Sequence, residues 1–198
     1  MKKIVFATNN INKVKEFKSL FKNKDLDFVT LKEINYDKEI IEDGNTFEEN
    51  ALIKARQVSR DLNCIAISDD SGLEVRALNY EPGIYSARYA GTHNDEDNNN
   101  LLIKNLKGIK DRYARYVCAI CVYFPNGLYL MSKEICEGEI IDERKGTNGF
   151  GYDPYFYFKE FGKTFAEIPL ETKNLVSHRA KAIRKLRGML DEDFNIIR

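Results

Sequence analysis

The run Ile4-Val5-Phe6-Ala7 constrains this chain most, because a polar loop follows it and then Val14, Phe17, Leu20 and Phe21 recur at helical spacing. A short continuous apolar run predicts a buried strand, and the change to a 3.6-residue period predicts a helix after it. The same logic extends along the chain. Residues 26–30 read as a second strand, followed by an acidic connection through Asp37, Glu39, Glu42 and Asp43 to Gly44. Thr46 and Glu49 match a capping box at the start of a helix that buries Phe47, Ala51, Ala55, Val58 and Leu62, with Asn50 and Lys54 one turn apart on another face. Cys64-Ile65-Ala66-Ile67 predicts a third strand that ends in a turn at Asp69-Asp70-Ser71-Gly72.

Beyond that turn, 73–78 extends as a strand, 79–91 is a loop and 94–106 suits a polar helix. Strands over 115–124 and 127–137 pair across Pro125-Asn126-Gly127, the clearest turn signal in the chain. A final helix carries Val176, Ala180, Ile183, Leu186 and Leu190 on one face. No internal repeat or linker-like run interrupts the 198 residues, so the order of elements predicts one α/β domain over 1–198, with a mixed twisted central sheet flanked by helices.

Charge narrows the function classes. Lys plus Arg and Asp plus Glu both total 31, so no global field would hold a polyanionic duplex, and nucleic-acid binding through the basic stretch 179–187 is disfavoured. Apolar stretches fall far short of the roughly 20 residues that span a membrane, and the N-terminus turns polar too soon for a signal-peptide core. A cytoplasmic protein without a membrane partner is expected. Cys118 and Cys121 have no second close pair and only His93 and His178 for company, which favours buried thiols over a zinc site.

Several residue groups carry candidate chemistry. Adjacent carboxylates Asp69 and Asp70 at a strand end need either a hard cation or one raised pKa; an Asx turn is the plain alternative. Thr8-Asn9-Asn10-Ile11-Asn12-Lys13 lies between a strand and a helix N-terminus, where free backbone N–H groups favour phosphate, although it lacks the glycines of a Walker loop and a polar loop with an Asn cap is the plain alternative. Glu42, Asp69 and Asp70 are the carboxylates that could share Mg²⁺, with Lys13 and Lys54 neutralising phosphate charge; Glu42 lies in a segment of solvated charges, where a surface role is the plain alternative. Gly149-Phe150-Gly151-Tyr152-Asp153-Pro154 suits either the clasping of a planar base or aromatic packing. Ser177-His178-Arg179 supplies donors for a carbonyl edge, with a solvated pair at a helix start as the plain alternative. A Ser-His-Asp hydrolase through Ser71 or Ser86 is weakened because no Gly-x-Ser-x-Gly elbow surrounds either serine.

Taken in order, these motifs resemble the inosine triphosphate pyrophosphatase family, also called Ham1-like or non-standard purine nucleoside triphosphate pyrophosphatases. The resemblance runs through Ala7-Thr8-Asn9-Asn10 with Lys13, Thr46-Phe47 with Glu49-Asn50-Ala51 and Lys54-Ala55, and Ser68-Asp69-Asp70-Ser71-Gly72-Leu73. It continues through Pro82-Gly83-Ile84-Tyr85-Ser86-Ala87-Arg88-Tyr89, the glycine-rich loop and Ser177-His178-Arg179. It implies Mg²⁺-dependent hydrolysis of ITP, dITP and XTP to monophosphate and pyrophosphate, in a cleft between two lobes of a homodimer. It also implies Asp70 as general base and metal site, Asp69 and Glu42 as further metal carboxylates, and substrate contacts from residues 8–13, Lys54, Ser71, Phe150, Gly151, Tyr152, Asp153, Lys173, His178 and Arg179. Asn9 departs from the glycine common in the family, which places a side chain on the phosphate approach. Rival readings are a pyrophosphatase for another base and a nucleotide sensor without turnover.

Overall fold

The computed structural model describes residues 2–20 and 26–193, so the Phe21 expected in the first helix lies outside the described residues. The order is β1 (Lys2–Phe6), α1 (Ile11–Leu20), β2 (Leu26–Thr30), α2 (Phe47–Leu62), β3 (Ile65–Val75), α3 (Asp95–Asn105), β4 (Tyr113–Tyr123), β5 (Tyr129–Ile140), β6 (Phe156–Phe158), β7 (Lys163–Thr164), α4 (Leu170–Val176) and α5 (His178–Asp193). Short 3-10 turns occupy Arg76–Leu78 and Gly83–Arg88 inside the segment expected as strand end and loop. The strands form a mixed sheet in the order β2-β1-β3-β4-β5-β6-β7, with β1 parallel to β2 and β3, and β6 antiparallel to β5 and β7. This is the α/β architecture that the residue pattern predicts.

The chain forms two compact units: 1–70, 118–134 and 179–198 make the first, and 71–117 with 135–178 make the second. In the first unit, β3 shows how strand alternation builds two cores. Ile67 packs with Phe6, Phe17, Ile120, Ala182, Ile183 and Leu186, residues of β1, α1, β4 and α5. Its neighbour Ala66 packs with Val5, Ala7, Leu31 and Val58, which brings α2 to the opposite face. Helix α2 begins at an N-cap Thr46 whose side chain accepts from Glu49 N at 3.1 Å. The reciprocal half of the expected capping box is displaced: Glu49 Oε2 accepts from Asn45 N at 2.6 Å.

The second unit has its own core of Leu73, Val75, Leu102, Tyr116, Ile140, Phe156 and Phe165, with Val176 packed against it. Val176 therefore does not share the last helix. Ser177 is extended and ends α4, and α5 starts afresh at His178, because the apolar run 176–190 serves two cores rather than one stripe. Between β4 and β5, Gly127 N donates to Phe124 O and Phe124 N to Leu128 O, both at 2.9 Å, which closes the expected turn.

Candidate active site

The largest departure from the sequence expectation is at the carboxylate pair. Residues 69–72 do not form a turn; β3 continues through them to Val75. Strand alternation then sends Asp69 to the Ile67 face and Asp70 to the Ser68 face, so neighbours in sequence have different surroundings. Mutual repulsion is avoided by separation onto two faces, and each carboxylate acquires its own cations.

On the Ser68 face, Ser68 Oγ donates to Ala51 O at 2.5 Å and ties β3 to α2. One helical turn along, Lys54 Nζ lies 2.7 Å from Asp70 Oδ1 and 2.5 Å from Glu42 Oε2. Asn50, one turn before Lys54 and buried, accepts Gly44 N on its side-chain oxygen at 2.9 Å and so pins the segment that carries Glu42. A Cβ on Gly44 would come within 2.7 Å of Asn50 Oδ1, which explains glycine at that approach. Asp70 is 8% exposed, and its Oδ2 has no hydrogen-bond partner among the described residues. Burial raises the Asp70 carboxyl more than Lys54 and Lys13 lower it, and the Glu42 charge adds to the rise. Burial pushes Glu42 the same way, but Lys54 outweighs it and holds Glu42 below the usual range. Burial alone would depress the Lys54 ammonium; Asp70 and Glu42 reverse this and keep it charged.

On the Ile67 face, Asp69 is 1% exposed and lies among donors. Lys13 Nζ is 2.6 Å from Oδ1, Arg179 Nε 2.7 Å from Oδ2, and Cys118 Sγ 3.1 Å from Oδ2. Arg179 Nη1 pairs with the buried Glu16 of α1. Burial disfavours the Asp69 charge, yet Arg179 and Lys13 hold its carboxyl well below the ordinary value. Lys13 stands at the start of α1, whose cap is Asn10: its Oδ1 accepts from Asn12 N at 3.0 Å and from Lys13 N at 3.2 Å. Thr8 Oγ1 accepts from Asn10 N at 3.1 Å, while Asn9 and Ile11 are exposed.

In the second unit, Lys173 Nζ lies 2.6 Å from Asp153 Oδ2 with both side chains buried. The same ammonium sits 5.1 Å from the centre of the Phe150 ring. Asp153 also accepts from Phe150 N at 3.1 Å and from the Tyr116 hydroxyl at 3.1 Å, and the His178 ring stacks on Tyr116 at 4.7 Å. Gly149 adopts φ +74°, and a Cβ there would fall 2.0 Å from Asp153 Oδ2. Phe150 is half-buried, and it is the ring of this loop with a surface left for a partner.

The model of the Ham1 family matches residues 4–189. That span covers nearly all of the chain. The chain belongs to the Ham1 family. It is 46% identical over 199 residues to the dITP/XTP pyrophosphatase of Bacillus anthracis, which covers 98% of each chain. It is 47% identical over 197 residues to the dITP/XTP pyrophosphatase of Staphylococcus epidermidis, at 99% of this chain and all of that one. Among solved structures, the Staphylococcus aureus Ham1 protein aligns with a TM-score of 0.88 at 44% identity over 96% of this chain and 98% of that one. A HAM1 protein from Coxiella burnetii gives 0.89 at 38% identity over 97% and 100%.

Set against this Ham1 framework, the expected residues fall into three groups. Glu42, Lys54 and Asp70 converge, as do Lys13 and Asp69, and Phe150, Asp153, Lys173 and His178 lie together. Ser71 follows Asp70 on β3 and is half-buried, and Gly151 lies in the loop. Three expectations change. Asp69, expected as a supporting metal carboxylate, has both oxygens turned to cations and a thiol. Arg179, expected at a base carbonyl with His178, instead directs its guanidinium at Asp69 and Glu16 and is 1% exposed. Tyr152 is a packed anchor whose hydroxyl donates to Ser86 O at 2.8 Å. Asn9 does not have a left-handed backbone and its side chain is exposed, so the residue in place of glycine causes no local strain.

Sequence reasoning missed Glu16, Cys118 and Tyr116. Glu16 left one signal, a charged residue immediately before the buried Phe17 in a short amphipathic helix. For Cys118 the sequence offered none, because its partner lies on another strand.

Among the described residues no group of three or more His, Cys, Asp or Glu side chains is arranged to hold a metal alone. Two carboxylates are enough for Mg²⁺, which retains waters and takes further oxygens from substrate phosphates. The carboxylates of Asp70 and Glu42, brought together on Lys54, fit that donor set.

Proposed function

We propose that this Ham1 protein hydrolyses non-standard purine nucleoside triphosphates, ITP, dITP and XTP, to the monophosphate and pyrophosphate with Mg²⁺ as cofactor. The observation that carries this reading is Asp70, a buried carboxylate whose Oδ1 is fixed by Lys54 and whose Oδ2 is left without a donor. A carboxylate oxygen in that state can accept a proton from a water. The water then attacks the α-phosphorus and pyrophosphate departs.

Lys54 holds Asp70 and Glu42 in one place and opposes the effect of burial on both carboxylates. When bound, Mg²⁺ held by Asp70 and Glu42 would neutralise phosphate oxygens and the leaving group. Lys13, fixed by Asp69 at a helix N-terminus, is suited to the phosphate chain. The base is assigned to the Phe150 ring with Lys173 and His178, whose donors suit a purine six-carbonyl and oppose an amino group. This preference is also supported by the names of the relatives, dITP/XTP pyrophosphatases. The homodimeric state rests on the family resemblance and the cytoplasmic location on the residue pattern; among the described residues no helix is long and apolar enough to cross a membrane.

Pyrophosphate release from ITP, dITP, XTP, GTP, ATP and dUTP, with and without Mg²⁺, tests the proposal. Magnesium-dependent release favouring ITP, dITP and XTP is expected. Preference for dUTP or ATP would overturn the base assignment, and binding without release would replace the enzyme by a sensor.

A further inference from the structure

Helix α3 plays no part in the reading above, yet it holds the loop that carries Phe150. Gly151 N donates to Asp95 Oδ2 at 2.8 Å, and Gly151 O accepts from Asn99 Nδ2 at 3.0 Å. Asp95 and Asn99 are four residues apart and lie on one helix face, so a single turn of α3 engages both polar groups of one loop residue. This two-point hold fixes the peptide planes on either side of Gly151 as well as its position.

The loop needs such a hold. Gly149 and Gly151 both have left-handed backbones, at φ +74° and +61°, and glycine loses the most freedom on ordering. Nothing lies within 4 Å of a Cβ built on Gly151, so no packing around this residue itself restrains its backbone. Asn99 itself is 3% exposed and donates also to Asp95 O at 2.8 Å. The helix is anchored independently: Leu102 is fully buried, and Asn98 accepts from Ala90 N at 2.8 Å and donates to Ala87 O at 3.3 Å. A fixed helix thus holds a loop of intrinsically low order, next to the ring assigned to the base.

We infer that Asp95 and Asn99 are positioning residues that hold Phe150 for the substrate base and thereby set affinity and base preference rather than the rate of cleavage. The inference rests on the proposed assignment of the base to Phe150. A ring misplaced by even an ångström weakens stacking and misaligns the donors around it, whereas the carboxylate that activates water is held by other residues.

The test is kcat and KM for ITP and ATP, with melting temperatures, for the full chain and for Asp95→Ala, Asp95→Asn, Asn99→Ala and Phe150→Ala. Asp95→Ala and Asn99→Ala should each raise KM for ITP about three- to tenfold, the effect of one hydrogen bond lost, with kcat nearly unchanged and the preference for ITP over ATP narrowed. Asp95→Asn keeps an acceptor for Gly151 N and should recover most of that affinity. Both Asp95 variants lose the same charge at the helix N-terminus, so their difference isolates the acceptor. If Asn99→Ala does not fold, the exposed Asp95 pair decides. Unchanged KM and preference in Asp95→Ala, or a loss of kcat alone, overturns the inference. Where Phe150→Ala still raises KM, only the clamp has failed; where it too changes nothing, the base assignment has failed.

Discussion

Asp69 and Asp70 are consecutive residues of β3 with separate partners: Arg179 Nε stands 2.7 Å from Asp69 Oδ2, and Lys54 Nζ stands 2.7 Å from Asp70 Oδ1. The pleat divides one acidic dipeptide into two chemical roles. Asp69 is a counter-ion with its oxygens engaged, and Asp70 has one buried oxygen without a hydrogen-bond partner among the described residues. Cation pairing holds the first carboxyl well below its ordinary value, while burial raises the second.

Substituting Asp70 by Asn removes the proton acceptor and retains the shape. Turnover of ITP should fall by about two to four orders of magnitude, the usual contribution of a general base. The melting temperature should fall as well, because the buried Lys54 ammonium keeps only Glu42 as a counter-ion. Near-normal turnover in a pyrophosphate-release assay would remove Asp70 from the reaction.

Chelation of divalent ions should abolish pyrophosphate release, and added Mg²⁺ should restore it. Glu42→Gln should then need a higher Mg²⁺ concentration for half-maximal rate, because one of two carboxylates has lost its charge. An activation curve identical to that of the unaltered protein would exclude Glu42 from metal binding.

Arg179 stands between two buried carboxylates, so Arg179→Met leaves Asp69 and Glu16 facing each other without their shared cation. Breaking a buried pair in this way costs about 3–5 kcal/mol. Urea unfolding should report a loss of that size, and adding Glu16→Gln to Arg179→Met should recover part of it. A loss within experimental error for Arg179→Met would mean that the network contributes nothing to stability.

The depressed Asp69 carboxyl links stability to pH. Its charged form is favoured in the folded state, so its contribution is fully present above the ordinary carboxylate value of about 3.9 and is lost as pH falls through the lower folded value. Unfolding free energy measured downward from neutral pH should therefore drop more steeply below about pH 4 in the unaltered protein than in Asp69→Asn. Parallel slopes would show that Asp69 titrates alike in both states.

Residue pattern by itself determined the alternation of strands and helices, the α2 cap at Thr46, the turn at Gly127 and the burial of Cys118 and Cys121. It also brought forward Lys13, Lys54, Asp70 and the glycine-rich loop, because charged groups beside short apolar runs and glycines at tight approaches leave local signals. What it could not determine was the continuation of β3 through Asp-Asp-Ser-Gly. Local turn propensity there is overridden by pairing within the sheet and by packing on both strand faces. Only tertiary structure assigned Arg179 to Asp69 and Glu16, residues 110 and 163 positions away, and brought Asp95 and Asn99 to Gly151. Periodicity reports which face of an element is buried, whereas the partner of a buried charge is decided by which elements the fold places beside it.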